Sequence, residues 1–271
     1  MSEPTDAAPR PFSVASRLEE AGPHRYVGEL TEDWYQGRAA VGGLTSALLT
    51  RAMQLDAAQG RPLRTLHTTF CAPATAGEFA IDTDVVRAGR SVAFVRATMH
   101  RDGDAIAIAT ATFARERRSF AEPFAPTPLA LPVVDEVEDG PEALYIPAFC
   151  RYLEFRQAIG GAAFSGAEEA HVGGWCRLRE GPVAAEAAVV PLLLDSWAPA
   201  ALSRHPRWAP CASIDIFVQL HEVLDGEPLD WVGYEARSEH LASGYADEQA
   251  SLHFPDGRKI ATARQLIAIF E

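Results

Sequence analysis

Three polar side chains occupy places where an apolar residue is expected. Asp195 lies in PLLLDSWAP, flanked by three leucines and a tryptophan, on a segment that reads as the most buried helix of its half. Carboxylates are rarely buried without a partner, and desolvation raises their pKa, which makes a stronger base near neutrality. The alternative is an aspartate that caps or breaks the chain before Ser196 and Pro199, or one on the helix surface. Gln265 lies in the last strand, ATARQLIAIF, where alternation groups it with Ala263, Ile267 and Ile269. A lone amide on such a face costs free energy unless hydrogen-bonded, so it is either structurally satisfied or orients a water or a carboxylate. Ser213, in CASIDIFVQLH, opens the strand after the helix, with Asp215 two residues on as a polar neighbour on the same face. Serines at strand starts are common, so Ser213 gains weight only beside the other two.

These residues fall in one copy of an internal repeat. Val95–Phe113 and Gln249–Ile267 align without a gap, Asp102-Gly103 on Asp256-Gly257 and Ile106 on Ile260. Each copy reads as strand, two-residue Asp-Gly turn, strand, with Gly accepting the positive φ that the turn requires. In this register Ala111 meets Gln265. An amide in one copy and an alanine in the other points to duplication followed by specialisation of one half.

Around the repeat, the pattern gives one element order twice. A strand at Tyr26–Leu30 precedes a helix over Val41–Ala58, which begins after Gly42-Gly43 and stops near Gly60-Arg61-Pro62. Strands follow at 64–72, 78–88, 91–101 and 105–116. The stretch 117–140 holds four prolines and an acidic run, which central strands cannot accommodate, and reads as a linker. The second half opens with strands at 148–158 and 172–179. A helix follows over 184–203, bent or broken at Pro191 and Pro199, then strands at 212–223, 229–238, 243–254 and 259–270. Residues 1–15 are expected to form a loose arm. The fold class is therefore α+β, with two helix-wrapped antiparallel sheets that pair to bury surface neither could bury alone.

Composition narrows the chemistry. A chain of 271 residues suits two domains of roughly 130 residues each. A formal charge of −13 argues against nucleic acid or an anionic membrane as the main partner. Four cysteines without a CxxC pair suggest buried reduced thiols in a cytoplasmic protein. The polar N-terminus lacks the apolar core of a signal peptide, and no apolar run reaches the ~20 residues of a membrane span. Eight histidines show neither HxH nor HExxH spacing, so no metal site is expected. No GxSxG elbow, P-loop or GxGxxG is present, which leaves serine-hydrolase and nucleotide-phosphate readings without a signal.

The chain resembles the acyl-CoA thioesterase II family, the double-hotdog thioesterases. The resemblance rests on GRAAVGGLTSALLTRAM, LHTTFCAPATAGEF and VVRAGRSVAFVRATMHRDGDAIAIATATF in the first half. In the second it rests on LLLDSWAPA, ASIDIF and DGRKIATARQLIAIF. It implies a double hotdog, with an N-terminal unit over 16–118, a Pro-rich linker over 119–145 and a C-terminal unit over 146–271. It implies hydrolysis of an acyl thioester, presented by CoA or an acyl carrier protein, without a cofactor. Asp195, Ser213 and Gln265 fall on the family's water-holding positions, and many members have Thr where this chain has Ser213. Backbone N–H groups at Gly42 and Gly43 would then meet the substrate oxyanion. Arg87, Arg90, Arg96 and Arg101 are available for the CoA diphosphate, but alternation makes most of them outer-face residues and none is assigned. A homo-oligomer is expected through exposed sheet edges. A double-hotdog protein that binds an acyl thioester without cleaving it is the alternative. His253-Phe254-Pro255 matches a triplet of hotdog-fold dehydratases, but it lies at a hairpin turn away from a helix-borne acid and is read as coincidence.

Overall fold

The computed structural model describes residues 10–57, 59–137, 146–224 and 226–270. The first half contains β1 (Glu19–Gly22), β2 (Arg25–Leu30), α1 (Gly42–Ala57), β3 (Leu63–Phe70), β4 (Gly77–Ala88), β5 (Val92–Arg101) and β6 (Asp104–Ala114). The second contains β7 (Leu153–Gly160), β8 (His171–Leu178), α2 (Val189–Leu194), β9 (Cys211–Leu220), β10 (Val232–Arg237), β11 (Tyr245–His253) and β12 (Lys259–Ile269). These strands form one antiparallel sheet in the order β1-β2-β4-β5-β6-β3-β9-β12-β11-β10-β8-β7. Read outward from the central β3–β9 pair, both halves have the same strand order. The seam pairs Leu66 with Val218, His67 with Phe217 and Thr68 with Ile216, so each half covers the other's open edge.

The registers identify equivalent positions. Ala111 faces Leu66 on β3 and Val95 on β5, while Gln265 faces Ile216 on β9 and Glu248 on β11. Leu63 pairs with Phe113 just before a bulge, as Ser213 pairs with Ile267. The first half therefore places Leu63, Val95 and Ala111 where the second places Ser213, Glu248 and Gln265.

The ungapped repeat alignment holds on β6 and β12 but slips on β5 and β11. Asp102 (φ 52°) and Gly103 (φ 91°) form the expected two-residue turn. The second connection is instead a loop over Phe254–Arg258, closed by Phe254 N–H donating to Arg258 O and Gly257 N–H donating to Phe254 O, both at 2.8 Å. Met99 pairs with Ala107, but Leu252 pairs with Ala261, so the second connection is one residue longer. Val95 consequently corresponds to Glu248, not to Gln249.

α1 is buried on nearly every side, including Leu44, Ala47, Leu48, Leu49, Ala52 and Met53, and it lies against β4 to β6 as the centre of the core. Its counterpart is far shorter than the expected 184–203. Pro191 fits inside the first turn of α2, where its missing N–H has no helical acceptor to lose. The helix ends at Asp195 (φ −105°, ψ 11°), and a separate turn, Ala201–Arg204, follows Pro199, which disfavours helix at the residue before it.

Residues 10–15 depart from the expected loose arm. Phe12 and Ala15 are buried in a helical turn, the Trp34 indole N–H donates to Arg10 O at 2.8 Å, and Ser13 N–H donates to Glu180 Oε1 at 3.1 Å. Residues 1–9 lie outside the described residues. The linker, over its described part 119–137, has one short 3-10 turn and no strand. It is anchored on the second half by Leu129 N–H donating to Gly257 O and by the Trp175 indole N–H donating to Pro132 O at 2.8 Å. Its last residues, 138–145, lie outside the described residues.

All four cysteines are free, but only Cys176 is fully buried; Cys71 is exposed. Among the described residues, no helix is long and apolar enough to cross a membrane.

Candidate active site

The end of α2 meets the start of α1. A Cβ on Gly43 would lie 2.8 Å from Leu192 Cα, and one on Gly42 would lie 2.7 Å from Phe70 Cζ and 3.0 Å from Asp195 Oδ2. The paired glycines thus allow the first turn of α1 to abut Asp195. The Gly43 N–H donates to Asp195 Oδ2 at 2.6 Å, placing the carboxylate at a helix N-terminus, where the backbone dipole favours negative charge. Of the two N–H groups expected to meet a substrate oxyanion, Gly42 and Gly43, the Gly43 one is aimed at Asp195. The Gly43 donor is engaged by Asp195, and the missing side chains serve close packing.

The three sequence-identified residues converge. Ser213 Oγ lies 2.9 Å from Gln265 Oε1 and 3.5 Å from Asp195 Oδ1. A bulge between Ser213 and Asp215 turns Ser213 inward and Asp215 outward, where Asp215 accepts Leu266 N–H at 3.2 Å and lies 3.4 Å from His67. Asp215 is therefore not the polar neighbour of Ser213 that simple alternation suggests. Asp195 sits at the C-cap of α2, yet it is buried, so its position as chain terminator and its place in a dry pocket coincide.

A fourth member is Glu248, 2 % exposed. Its Oε1 lies 3.4 Å from Gln265 Nε2, and its Oε2 accepts the Ala200 N–H at 2.6 Å. The ungapped repeat register hides it. The signal available in the sequence was a charged residue in the inward series Ala246, Glu248, Ala250 and Leu252.

Burial dominates the electrostatics. It pushes the Asp195 carboxyl up to about 7, against the opposing hydrogen bonds from Gly43, Gln265 and Ser213. Burial likewise pushes Glu248 up to about 8; the Ala200 N–H opposes this, while the charges of Asp195 and Asp247 add to it. The Tyr234 hydroxyl is raised well above its ordinary value by burial and by the same two buried carboxylates, Glu248 first. Trp197 stacks on Tyr234 at 5.2 Å and meets Phe155 edge-on, placing aromatic surface two residues from Asp195. Such a site can hold a water against a carboxylate that is protonated or ionised according to small changes in pH.

Other sequence candidates lie apart. Arg96 pairs with Asp84 at 3.0 Å, and Arg101 binds the carbonyls of Gly77 and Glu78. His253 is buried as a structural residue, its ring nitrogens 3.0 Å from Gly257 O and 2.9 Å from Ser251 Oγ. A surface cavity of about 960 Å³ is lined by Arg204, Arg207, Trp208 and Phe270 and includes none of the four polar residues.

Residues 30–114 match the acyl-CoA thioesterase N-terminal domain, and residues 128–269 match the acyl-CoA thioesterase C-terminal domain. No curated protein matches the chain. Several solved structures share its fold. A hot dog fold protein of unknown function from Alicyclobacillus acidocaldarius is 24% identical, with a TM-score of 0.87 over 96% of this chain and 98% of that one. A putative thioesterase II from Thermobifida fusca YX is 21% identical, with a TM-score of 0.82 over 98% and 99% of the two chains. The tesB protein of Mycobacterium avium subs paratuberculosis is 21% identical, with a TM-score of 0.77 over 96% and 98%. The fold is thus of the hotdog type, and with both domain matches in chain order, the protein belongs to the acyl-CoA thioesterase family.

Proposed function

We propose that this protein hydrolyses a fatty or related acyl-CoA thioester, using Asp195 as the general base. The observation that carries the reading is a buried carboxylate held by the Gly43 N–H, with the Ser213 hydroxyl and Gln265 amide beside it. Asp195 takes a proton from a water positioned by Ser213 and Gln265, and the oxygen attacks the thioester carbonyl. Collapse of the tetrahedral adduct breaks the C–S bond, and the proton held by Asp195 goes to the departing thiolate. A thiolate is a good leaving group, so no separate strong acid is required.

The repeated strand order supports two tandem hotdog units, 16–118 and 146–271, joined by the linker 119–145, with one reactive site shared between them. We further read the chain as a homo-oligomer, because Phe94, Phe217 and Leu266 expose 46, 40 and 40 % of their surface on the outer side of the sheet. Thiol release from a panel of acyl-CoAs and one acyl-carrier thioester, by wild type and Asp195→Asn, tests the activity. Release by wild type alone supports the assignment. Equal release by both removes Asp195 from its role, and binding without release by wild type favours a non-catalytic acyl-thioester binder.

A further inference from the structure

Glu248 is the buried titratable group that the hydrolytic scheme leaves unused. Its counterpart in the first half is Val95, so the fold does not need a carboxylate at this position. Burying a second negative group near Asp195 costs stability, which points to a task at the site. The titratable groups acting on or beside it are Asp195 at the end of α2, Cys211 on β9, Tyr234 on β10 and Asp247 on its own strand; none is cationic.

The contacts of Glu248 define what that task is. Ala200 N–H donates to Oε2, which leaves Oε1 facing the Gln265 amide. An amide presents an oxygen on one side and two N–H donors on the other, and turning it by half a revolution exchanges them. In the recorded arrangement Gln265 Nε2 donates to Glu248, so Oε1 faces Ser213 and takes the single hydroxyl proton at 2.9 Å. That is the arrangement an ionised Glu248 requires. A protonated Glu248 can instead donate from Oε1 to the amide oxygen. The amide N–H then points at Ser213 Oγ, and the Ser213 proton is released to donate to Asp195 Oδ1.

Resting on the thioesterase reading for its consequence, we propose that Glu248 is a positioning residue whose proton selects the orientation of the Gln265 amide, and with it the direction of the hydrogen bonds running from Glu248 to Asp195. The protonated form is the productive one, because the Ser213 hydroxyl proton, otherwise held by the Gln265 oxygen, then faces the base and favours its ionised state.

The test uses the full chain labelled with ¹⁵N-Gln, the Gln265 side-chain resonance being assigned by its loss in Gln265→Ala. Wild type should show one titration of that amide on the alkaline side of neutrality, and Glu248→Gln should show none. Glu248→Gln keeps an N–H for the amide oxygen and an oxygen for Ala200, so its kcat should stay within about 3-fold of wild type and lose the alkaline decline. Glu248→Ala should lose on the order of 30-fold in kcat with KM within about 2-fold. An amide that does not titrate in wild type overturns the proposal, as does a Glu248→Gln enzyme no better than Glu248→Ala. If Glu248→Ala does not fold, the amide titration and the Glu248→Gln profile still decide. Absence of thiol release by wild type, with the amide titration intact, sinks the thioesterase reading and leaves the amide switch standing.

Discussion

The two halves of this chain share a strand order and differ in what they place at three matched points. Leu63, Val95 and Ala111 fill the first half's inner face with apolar side chains, all buried, whereas Ser213, Glu248 and Gln265 bring hydrogen-bonding groups to the same places in the second. The apolar half shows what the fold needs, and the polar half shows which groups have been added to it. The division is incomplete in one instructive respect. The second half's carboxylate is held by the first half's helix, through the Gly43 N–H, so neither half contains the whole site.

The comparison can be broken at its strongest point first. Asp195→Asn should lower kcat by about 10³-fold or more with little change in fold, because the amide cannot take a proton from water. Giving the second half the first half's residue, Gln265→Ala should cost roughly 10²-fold in kcat, and Ser213→Ala about 10-fold; both are read by steady-state thiol release. At the joint between halves, Gly43→Ala forces a Cβ to within 2.8 Å of Leu192 Cα. It should lower stability by about 2 kcal/mol in thermal unfolding, with a loss of activity beside it.

Stability against pH sharpens the contrast further. Burial raises both Asp195 and Glu248 above their unfolded values, to about 7 and about 8. Between pH ~4 and ~8 the folded state therefore binds more protons than the unfolded one, and the stability these groups contribute is present in acid and lost as pH rises through the folded values. Asp195→Asn removes one such group. It should be more stable than wild type at pH 8.5, by on the order of 1–3 kcal/mol, with the gap closing toward pH 5 in urea melts. The smallest effect is expected in the apolar half. Ala111→Gln places an amide without the second half's partners and should destabilise by about 1–2 kcal/mol while leaving turnover near that of wild type.

Much of the candidate site was legible because Asp195 and Gln265 interrupt apolar patterns, and an interruption of that kind is local information. Ser213 was legible only by its company. Glu248 was not, although it sits in an equally regular series. One extra residue in the Phe254–Arg258 loop shifts β11 against its repeat partner, and that shift is a property of pairing across the sheet. Pairing also explains Asp215, which the bulge between Ser213 and Asp215 sends to the other face. The short α2 was half visible. Both prolines are visible in the sequence, but a proline inside a first turn and one beyond a helix end have opposite consequences, and only the position of the N-terminus at Val189 separates them. The Gly42-Gly43 pair stands out in the sequence for its backbone. That its donor is aimed at Asp195 depends on how two distant helices approach, which spacing along the chain does not contain.

The central claim is that a poorly hydrated Asp195 must be ionised to act, and the pH dependence of kcat/KM tests it most directly. With an acyl-CoA that wild type turns over, kcat/KM should rise close to tenfold per pH unit below about 7, level off, and decline again above about 8 as Glu248 ionises. A profile that is flat from pH 5 to 8, or that rises only at the pH of an ordinary exposed carboxylate, would contradict the account.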